Sequence, residues 1–398
     1  MRARDFIEKE QKRQIDTIEL IASENFVSGN VLKAMGSCFT NKYAEGKPYH
    51  RYYGGCEVVD ELESYCQELW KMVFKTNYHV NVQPHSGANA NLAAMMAFLK
   101  PGDKVLSMSL NCGGHLSHGS PVNISGKLFE VIHYGVDAKG YINYDEFLRK
   151  ISLFRPNLIL AGASAYPRII DFEKMYSLIQ NVRDRNPGYN PIFMVDMAHI
   201  AGLVVANDHP SPFGLADVVT TTTHKTLRGP RGGLIFCKPQ YEKQVDSAVF
   251  PGTQGGPLEN IIAAKAICAE EALNLDYWRY IHQVVKNSKA MAEEFVSMGY
   301  EVITGGTDNH LFLIDLSHTH PQLSGKMVQD ELDKHKITLN KNCVPNETRS
   351  PMQASGLRIG TAAMTTRGYV EEDFVFVAHK IDEIIQGMVK NYAPVSEE

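Results

Sequence analysis

From about residue 60 to residue 240, short β-branched apolar runs alternate with segments whose apolar residues recur every three or four positions. This alternation is typical of a mostly parallel, doubly wound α/β sheet. Helices are predicted over residues 60–74 and 89–99, and the second is apolar on nearly every side, so we expect it to be buried. The predicted strands cover residues 104–108, 157–161, 191–195, 217–222 and 233–237.

After residue 256 the pattern changes to that of an α+β unit. Apolar residues keep helical spacing over 281–295 and 374–388, and LFLIDL at 311–316 is typical of a strand between the two helices. We place the boundary of this unit within a long helix. The sequence thus predicts three parts, which are an N-terminal arm over residues 1–52, a large domain over 53–268 and a smaller C-terminal α+β domain over 269–398.

Composition and charge narrow the class of protein. Of the 398 residues, 44% are hydrophobic, and a net charge of −5 with both signs intermixed disfavours nucleic-acid binding. The seven cysteines are scattered without a CxxC pair, which favours reduced thiols and a cytoplasmic location. His115 and His118 lack further ligands at zinc-like spacing, so no metal is expected. The charged N-terminus and the lack of a long apolar run predict neither a signal peptide nor a membrane span.

The stretch VVTTTTHKTLRGPRGG carries the strongest chemical signal. Lys225 follows a run of four threonines at the polar end of a predicted strand, and a glycine-rich loop with Arg228 and Arg231 follows it. Ligands of open α/β sheets bind at the carboxyl ends of the strands. Burial and neighbouring cations such as Arg231 would lower the pKa of the amine and suit it to a covalent bond with an aldehyde cofactor. A solvated lysine at a strand end is the alternative.

Two further strand ends suit the same cofactor. Ser86 and Gly87 precede the buried helix, where backbone N–H groups form a phosphate site, although Ser86 acting only as a helix cap is the alternative. Asp196 closes an apolar strand, where a carboxylate needs a partner such as a protonated pyridine nitrogen. His199 is expected to stack on that ring, and the alternative for this pair is a helix cap and a core histidine. Together with a late strand-end lysine, this order predicts a pyridoxal phosphate site.

Two other segments suit substrate binding. Arg358 lies between apolar residues in SGLRIGT, and its guanidinium forms the two-pronged contact that a substrate carboxylate needs. A structural salt bridge is the usual alternative. The loop at 41–55 crowds tyrosines and Glu45 among glycines, which indicates substrate handling or a subunit contact, or else an exposed loop with packing tyrosines.

The chain resembles serine hydroxymethyltransferase over nearly its whole length. The motifs that carry the resemblance, in the order of the family, are LIASEN, NKYAEG, RYYGGCE, NVQPHSG, GGHLSHGSPVN, VDMAHIAGL, VVTTTTHKTLRGPRGG, FPGTQGGP, GGTDNHLFL and SGLRIGT. The resemblance implies an aspartate-aminotransferase-like fold whose large domain holds a seven-stranded, mostly parallel sheet. It also implies a reversible reaction of serine with tetrahydrofolate that gives glycine and 5,10-methylenetetrahydrofolate.

The resemblance also implies roles for individual residues. Lys225 would hold pyridoxal 5'-phosphate covalently, Asp196 would pair with its ring nitrogen, and His115 would stack on the ring. The other residues implied around the cofactor are Ser86, Gly87, Ser164, His199, Thr222, His224 and Arg231, with Gly255, Gly256 and Tyr43 or Tyr53 of the neighbouring subunit of a homodimer. Those implied around serine and folate are Ser23 and Arg358 for the carboxylate, Glu45 for proton transfer, Tyr53, and the folate-site residues Tyr52, Leu110, Gly113, Gly114, Leu116 and Asn342.

The sequence departs from the family pattern at a few positions. Ala88 stands where a hydroxyl is expected on the phosphate, and Pro167 replaces a common serine. The N-terminal arm is short, and the chain ends in YAPVSEE without the expected basic helix, so a weaker dimer is expected. Folate-independent cleavage of β-hydroxy amino acids is one alternative function. A binding protein without catalysis is another, but such a protein would have no need to keep both Lys225 and Asp196.

Overall fold

The computed structural model describes residues 2–392, so the YAPVSEE ending lies outside the described residues except for its first member. The helices are α1 (Ala3–Asp16), α2 (Gly29–Met35), α3 (Glu57–Phe74), α4 (Gly87–Phe98), α5 (Ile124–Leu128), α6 (Tyr144–Phe154), α7 (Phe172–Asp184), α8 (Ala201–Val205), α9 (Glu242–Ser247), α10 (Glu259–Ala272), α11 (Leu275–Ser297), α12 (Gly325–Lys334), α13 (Ala362–Thr366) and α14 (Glu371–Tyr392). The strands are β1 (Ile18–Glu19), β2 (Gly46–Lys47), β3 (His50–Arg51), β4 (His79–Asn81), β5 (Lys104–Met108), β6 (Glu130–Tyr134), β7 (Leu158–Ala161), β8 (Ile192–Asp196), β9 (Val218–Thr222), β10 (Gly233–Cys237), β11 (Glu301–Val302), β12 (Leu311–Asp315), β13 (Ile337–Thr338), β14 (Asn340–Asn342) and β15 (Gly356–Gly360).

The large sheet has seven strands in the order β4-β10-β9-β8-β7-β5-β6. Only β10 runs against its two neighbours, while the others are parallel, which confirms the fold implied by the resemblance. The five strands predicted from the apolar runs are all present, with ends that differ by at most one residue. The sequence pattern did not reveal β4 and β6. The first has three residues, too few to show a period, and the second is a partly exposed edge strand with polar residues.

The α4 helix lies against β9 and β10 and is buried as predicted, although it begins two residues earlier than its apolar pattern. It begins early because the Ser86 hydroxyl accepts a hydrogen bond from the Asn89 N–H at 3.2 Å. Ser86 follows β4 closely in the chain. Its cap therefore fixes the first turn of α4 at one end of the large sheet, where α/β folds bind their ligands.

A second, smaller core surrounds the four-stranded antiparallel sheet β11-β12-β15-β14. The long helix α11 joins the two cores, since Ile281 and Val284 belong to the large core whereas Met291 and Phe295 belong to the small one. The division at residue 268 stays a prediction, and this packing favours a change of core within α11. The N-terminal segment packs on the small core, because β1 pairs with β13. In the described part of the chain no helix combines the length and apolar character needed to cross a membrane.

A buried lysine of α10 fixes the segment that leads into α4. Lys265 of α10 is 1% exposed, and its ammonium donates to the carbonyl oxygens of Val82 at 2.6 Å, Pro84 at 3.1 Å and Gly233 at 2.8 Å. The three N–H groups thus satisfy the carbonyls of Val82 and Gly233 and give the Pro84 carbonyl, which also accepts from the Gly233 N–H at 3.1 Å, a second donor. The contact ties α10 to β10 and to the segment between β4 and α4.

Replacing Lys265 by methionine keeps the volume of the side chain but removes the lysine donor from the buried carbonyls of Val82 and Gly233. We expect the unfolding free energy to fall by about 2 kcal/mol or more, since each unsatisfied buried polar group costs about 1–3 kcal/mol. Thermal and denaturant unfolding measure this loss. Lys286→Met, an exposed lysine on α11, is the matched control and should change stability little. Equal stability of the two variants would contradict the role given to Lys265.

Candidate active site

The carboxyl ends of the central strands open into one cavity of about 380 Å³. Asp196 ends β8, Thr222 ends β9, and Lys225 follows three residues later, while Ser86 and Gly87 reach the cavity from the start of α4. Twelve of the residues named from the sequence line this one cavity, and they are Ser23, Ser86, Gly87, His115, Ser164, Asp196, His199, Thr222, His224, Lys225, Arg231 and Arg358.

Asp196 is a buried carboxylate with fixed donors. One of its oxygens accepts from the Asn91 amide at 2.8 Å and from His118 Nε2 at 2.9 Å, and the other accepts from the Ala198 N–H at 3.0 Å. Burial works against ionisation, but the hydrogen bond from His118 and the charge of Lys225 keep the pKa of Asp196 well below its usual range. The carboxylate therefore stays charged, as a partner for a pyridinium nitrogen must.

His118 and Asn91 were not predicted as site residues. In the sequence, the HxxH spacing of His115 and His118 indicates at most a possible metal site. In the structure, His118 Nδ1 accepts from the His115 N–H at 3.3 Å, so Nε2 carries the proton that it donates to Asp196. Asn91 also accepts from the Thr220 hydroxyl at 2.6 Å, which fixes the orientation of its amide. The contacts to Asp196 bridge 78 and 105 positions of the chain, which no local pattern reveals.

The Lys225 amine is 8% exposed and lies among charges of both signs. Burial, opposed by the charge of Asp196 and assisted by the charges of Arg358 and Arg231, lowers the pKa of this amine to about 8. The influence of Arg231 agrees with the sequence-based expectation. A substantial share of this amine is neutral near pH 7 to 8, which makes it a nucleophile. Its backbone is also fixed, because the Asn25 amide donates to the Lys225 carbonyl at 2.9 Å.

The cavity end near α4 is built for a close-fitting anion. A Cβ on Gly87 would lie 2.5 Å from Thr222 Cγ2, so only glycine brings this backbone so near to the end of β9. The buried Nδ1 of His224 has no hydrogen-bond partner among the described residues, and burial lowers the pKa of this imidazole to about 3. With the exposed Arg231 at the rim, these groups offer N–H donors and a positive charge at a helix N-terminus.

The histidines of the cavity wall, and His310, which contacts one of them, are neutral at ordinary pH. Burial lowers the pKa of His115 to about 4 and that of His310 to about 3, and it lowers the pKa of His199 well below its usual range. His199 stacks against His310 with ring centroids 5.4 Å apart and contacts it through Nδ1 at 3.2 Å. His199 is therefore both a core residue and a wall residue. Neutral imidazoles present flat, weakly polar faces that suit an aromatic ring.

Arg358 reaches the cavity from β15 of the small core. Its Nη1 donates to the Ser164 carbonyl at 3.0 Å and its Nη2 to Asn340 at 2.8 Å, whereas its buried Nε has no partner in the described part of the chain. Burial lowers the pKa of the guanidinium to about 10, so it stays charged at pH 7. No carboxylate of the described residues forms an ion pair with Arg358, so the structural salt bridge considered above is absent there.

A second group of predicted residues forms its own cluster, outside the cavity of Lys225. Tyr43 lies with its ring 5.3 Å from that of Tyr53, and its hydroxyl is 3.3 Å from Glu45. A Cβ on Gly255 would lie 3.3 Å from the Glu45 carboxylate, and one on Gly256 would lie 3.2 Å from the Tyr43 ring. We call these five residues the Tyr43 cluster. Within one chain the structure does not bring the Tyr43 cluster to Lys225.

The predicted folate residues lie elsewhere. Leu110 and Leu116, in two short 3-10 turns, are each more than 40% exposed. Gly113, between them, accepts hydrogen bonds from the Ser164 and Ala165 N–H groups, which connects these turns to the cavity wall. Tyr52 is 74% exposed and lies edge-on to Phe250. Asn342 ends β14, and Gly114 follows Gly113.

The two departures from the family pattern have different surroundings. Ala88 is exposed and lines the cavity beside Ser86, so a side chain there faces the anion end. Pro167 is buried, and its carbonyl accepts from the Asp308 N–H at 2.8 Å and the Thr307 hydroxyl at 3.0 Å. This contact joins the loop after β7 to the small core through a backbone carbonyl, and nothing in it requires proline. The nearby Ser164 keeps its place at the cavity.

These groups fit pyridoxal phosphate. The unpaired His224 Nδ1, the glycine at the helix start and the buried anionic Asp196 match a phosphate at one end and a cationic ring at the other. A family model described as serine hydroxymethyltransferase matches residues 2–381, which is nearly the whole chain. The match shows a pyridoxal phosphate enzyme, with the cofactor bound to a lysine, that converts serine and tetrahydrofolate to glycine and methylenetetrahydrofolate. The chain therefore belongs to the serine hydroxymethyltransferase family.

Proposed function

We propose that Lys225 is the lysine that carries pyridoxal phosphate in this enzyme and that the cavity around it binds serine. The observation that carries the proposal is the low-pKa amine of Lys225 in one cavity with the Asp196 carboxylate and the Arg358 guanidinium. When bound, pyridoxal phosphate withdraws electrons from the amino-acid Cα through its protonated pyridine ring. Asp196 keeps the ring nitrogen protonated, since its own pKa is too low for it to hold the proton.

The other cavity residues would bind the phosphate, the ring and the substrate carboxylate. Ser86, Gly87, Thr222, His224 and Arg231 would hold the phosphate, and His115 and His199 would lie near the ring, together with the hydroxyl of Ser164. Arg358 and Ser23 hold the carboxylate of serine. Because the guanidinium is fixed on two sides by Ser164 and Asn340, it sets the direction of the Cα–Cβ bond that is cleaved.

We propose a homodimer in which the Tyr43 cluster completes the cavity of the neighbouring subunit. Tyr43 is 58% exposed and Tyr53 49%, so both rings face outward rather than into their own core. Glu45 then transfers the proton at the hydroxymethyl group of serine, assisted by Tyr53, and Gly255 and Gly256 approach the phosphate. This arrangement explains why two sets of family residues sit apart in one chain.

Tetrahydrofolate is proposed to bind at the rim of the cavity. Residues Leu110, Gly113, Gly114 and Leu116 supply the exposed turns next to Ser164, and the other two members of this site are Tyr52 and Asn342. We propose the cytoplasm as the compartment. All seven cysteines are free thiols in the structure, which agrees with a reducing environment.

Replacing Lys225 by alanine removes the amine that holds the cofactor. We expect loss of covalent labelling by borohydride, loss of the yellow colour and serine cleavage at background level, because no other amine lines the cavity within the described residues. Peptide mapping after reduction and a coupled formaldehyde assay measure these results. Lys289→Ala, an exposed position on α11, serves as control. Reduction that labels another lysine of the wild type would overturn the assignment.

Replacing Glu45 by glutamine keeps the shape and removes the titrating carboxyl. We expect folate-dependent turnover of serine to fall by about 10²–10⁴-fold, the usual contribution of a positioned proton-transfer group. Mixing this variant with Lys225→Ala under conditions of subunit exchange should restore about a quarter of wild-type activity, because half of the dimers gain one complete site. Activity that stays at background in the mixture, despite exchange seen by mass spectrometry, would contradict a shared site.

Replacing Ala88 by serine restores a hydroxyl at the anion end of the cavity. One charge-assisted hydrogen bond contributes about 1.5–3 kcal/mol, so we expect roughly tenfold or more tighter binding of pyridoxal phosphate. Equilibrium dialysis of the apoenzyme measures the affinity. Ala97→Ser, near the other end of α4, is the control, and equal affinities of the two variants would show that residue 88 does not face the phosphate.

A further inference from the structure

A buried ionic network lies behind the Tyr43 cluster. Arg51 of β3 donates through Nε to Asp60 at 2.7 Å and through Nη2 to Glu63 at 2.7 Å, and both carboxylates belong to α3. Its Nη1 donates to the carbonyls of Ala44 at 2.9 Å and Gly46 at 3.0 Å. The guanidinium thus binds the backbone on both sides of Glu45, and the two carboxylates of α3 fix the position of the guanidinium.

Glu63 holds the same segment a second time. Its two carboxylate oxygens accept from the Gln83 amide at 3.3 and 2.9 Å, and that amide also donates to the Gly46 carbonyl at 2.9 Å. Glu63 is fully buried and Gln83 is 5% exposed. Because the two side chains that donate to the Glu45 segment, Arg51 and Gln83, are both bound by Glu63, the position of this carboxylate influences the position of the segment.

Glu259 is the member of this region without a conventional partner. It is the first residue of α10, three positions after Gly256, and is 1% exposed. Neither of its carboxylate oxygens finds a donor group among residues 2–392. Its carboxyl lies within hydrogen-bonding reach of that of Glu63. An isolated buried carboxylate is costly, whereas a protonated one donates to an adjacent carboxylate.

The charges around Glu259 agree with a neutral carboxyl. The groups that face it are Arg51 from β3, Asp60, Glu63 and Cys66 from α3, and Lys265 from its own helix. Burial raises the pKa of the Cys66 thiol to about 12 and lowers that of Lys265 to about 8, so below pH 8 the two cations Arg51 and Lys265 balance Asp60 and Glu63. Loss of the Lys265 proton above pH 8 would make the region more negative and would hold the proton of Glu259 more strongly. A charge on Glu259 would be unbalanced, and burial together with the charge of Glu63 raises the pKa of Glu259 to about 9.

We propose that Glu63 and Glu259 share one proton, and that this contact positions the Glu45 segment beside Gly255 and Gly256. The shared proton joins α3, which carries the supports of Glu45, to α10, which directly follows the two glycines. Glu63 and Glu259 are positioning residues, since they touch neither substrate nor cofactor. The catalytic consequence rests on the proposed function of Glu45, but the shared proton does not.

The first test measures the proton through stability. The folded-state pKa of Glu259 lies above its unfolded value of 4.5, so the folded holoenzyme holds one extra proton between these values, and its stability declines as pH rises towards 9. Glu259→Gln donates to Glu63 without needing that proton. The melting temperature of the variant minus that of wild type should therefore rise steadily from pH 6 to 9 and then level. Over this range, the ratio of the unfolding equilibrium constants of wild type and variant should change about tenfold per pH unit.

The control is Glu270→Gln, the same change at an exposed position of α10. Its difference from wild type should stay constant across this pH range. A constant difference for Glu259→Gln as well would overturn the shared proton, whatever the activities are. This outcome is independent of Glu45, whose own role is decided by the Glu45→Gln variant.

The second test separates positioning from general stability. Glu259→Leu fills the space but donates nothing, so we expect kcat for serine to fall by about tenfold to a hundredfold, as small misplacements of a catalytic group do. KM for serine should change little, because Ser23 and Arg358 bind it from another part of the fold. Glu259→Gln should recover kcat to within about twofold at pH 7.5. Above pH 9, where wild type loses the shared proton, the kcat of Glu259→Gln should increasingly exceed that of wild type. Unchanged kcat in the leucine variant, or no recovery by glutamine, would overturn the positioning role.

Discussion

The electrostatics of the candidate site depend on a single buried carboxylate at the end of β8. Asp196 remains ionised because hydrogen bonds from Asn91, His118 and the Ala198 N–H replace those that water would make to it. Each of these donors is itself held by another group, so the charge rests on a chain of contacts that reaches α4 and β9. The ring with a positive nitrogen that we propose for this cavity would add the missing counter-charge. The same charge opposes the loss of the Lys225 proton, so the amine keeps a pKa near 8 rather than falling further.

Burial acts on the other titrating groups in a common direction. It removes the charge from His115, His199, His224 and His310, while Arg358 keeps its charge because its starting pKa is so high. The cavity therefore presents few formal charges. Two guanidinium groups, the lysine and one carboxylate give it a positive balance before any ligand binds. That balance suits a phosphate and a substrate carboxylate, which bring negative charge to opposite ends.

Much of this fold was predictable from local patterns. Apolar runs predicted five strands of the large sheet because those strands are largely buried on both faces. Asp196 and Lys225 could be named since each stands at or just after the end of such a run, and Ser86 since it precedes a buried apolar helix. The contact of His118 with Asp196 could not be predicted in this way, because it depends on how distant turns meet. The same holds for Glu63 and Glu259, which are 196 positions apart and look like ordinary helix-surface residues in the sequence.

The two groups of buried acids and bases differ in how they are balanced. Around Asp196, hydrogen-bond donors and a nearby amine stabilise a carboxylate, so its proton is lost at any ordinary pH. Around Glu259, two cations are already matched by Asp60 and Glu63, so an additional carboxyl keeps its proton. Burial is nearly the same in both places, and the local count of opposite charges decides the outcome. We propose that the first arrangement serves the chemistry of a bound ring, whereas the second serves the placement of a chain segment. One protein thus uses equally buried carboxyl groups in opposite protonation states, each fixed by its immediate neighbours.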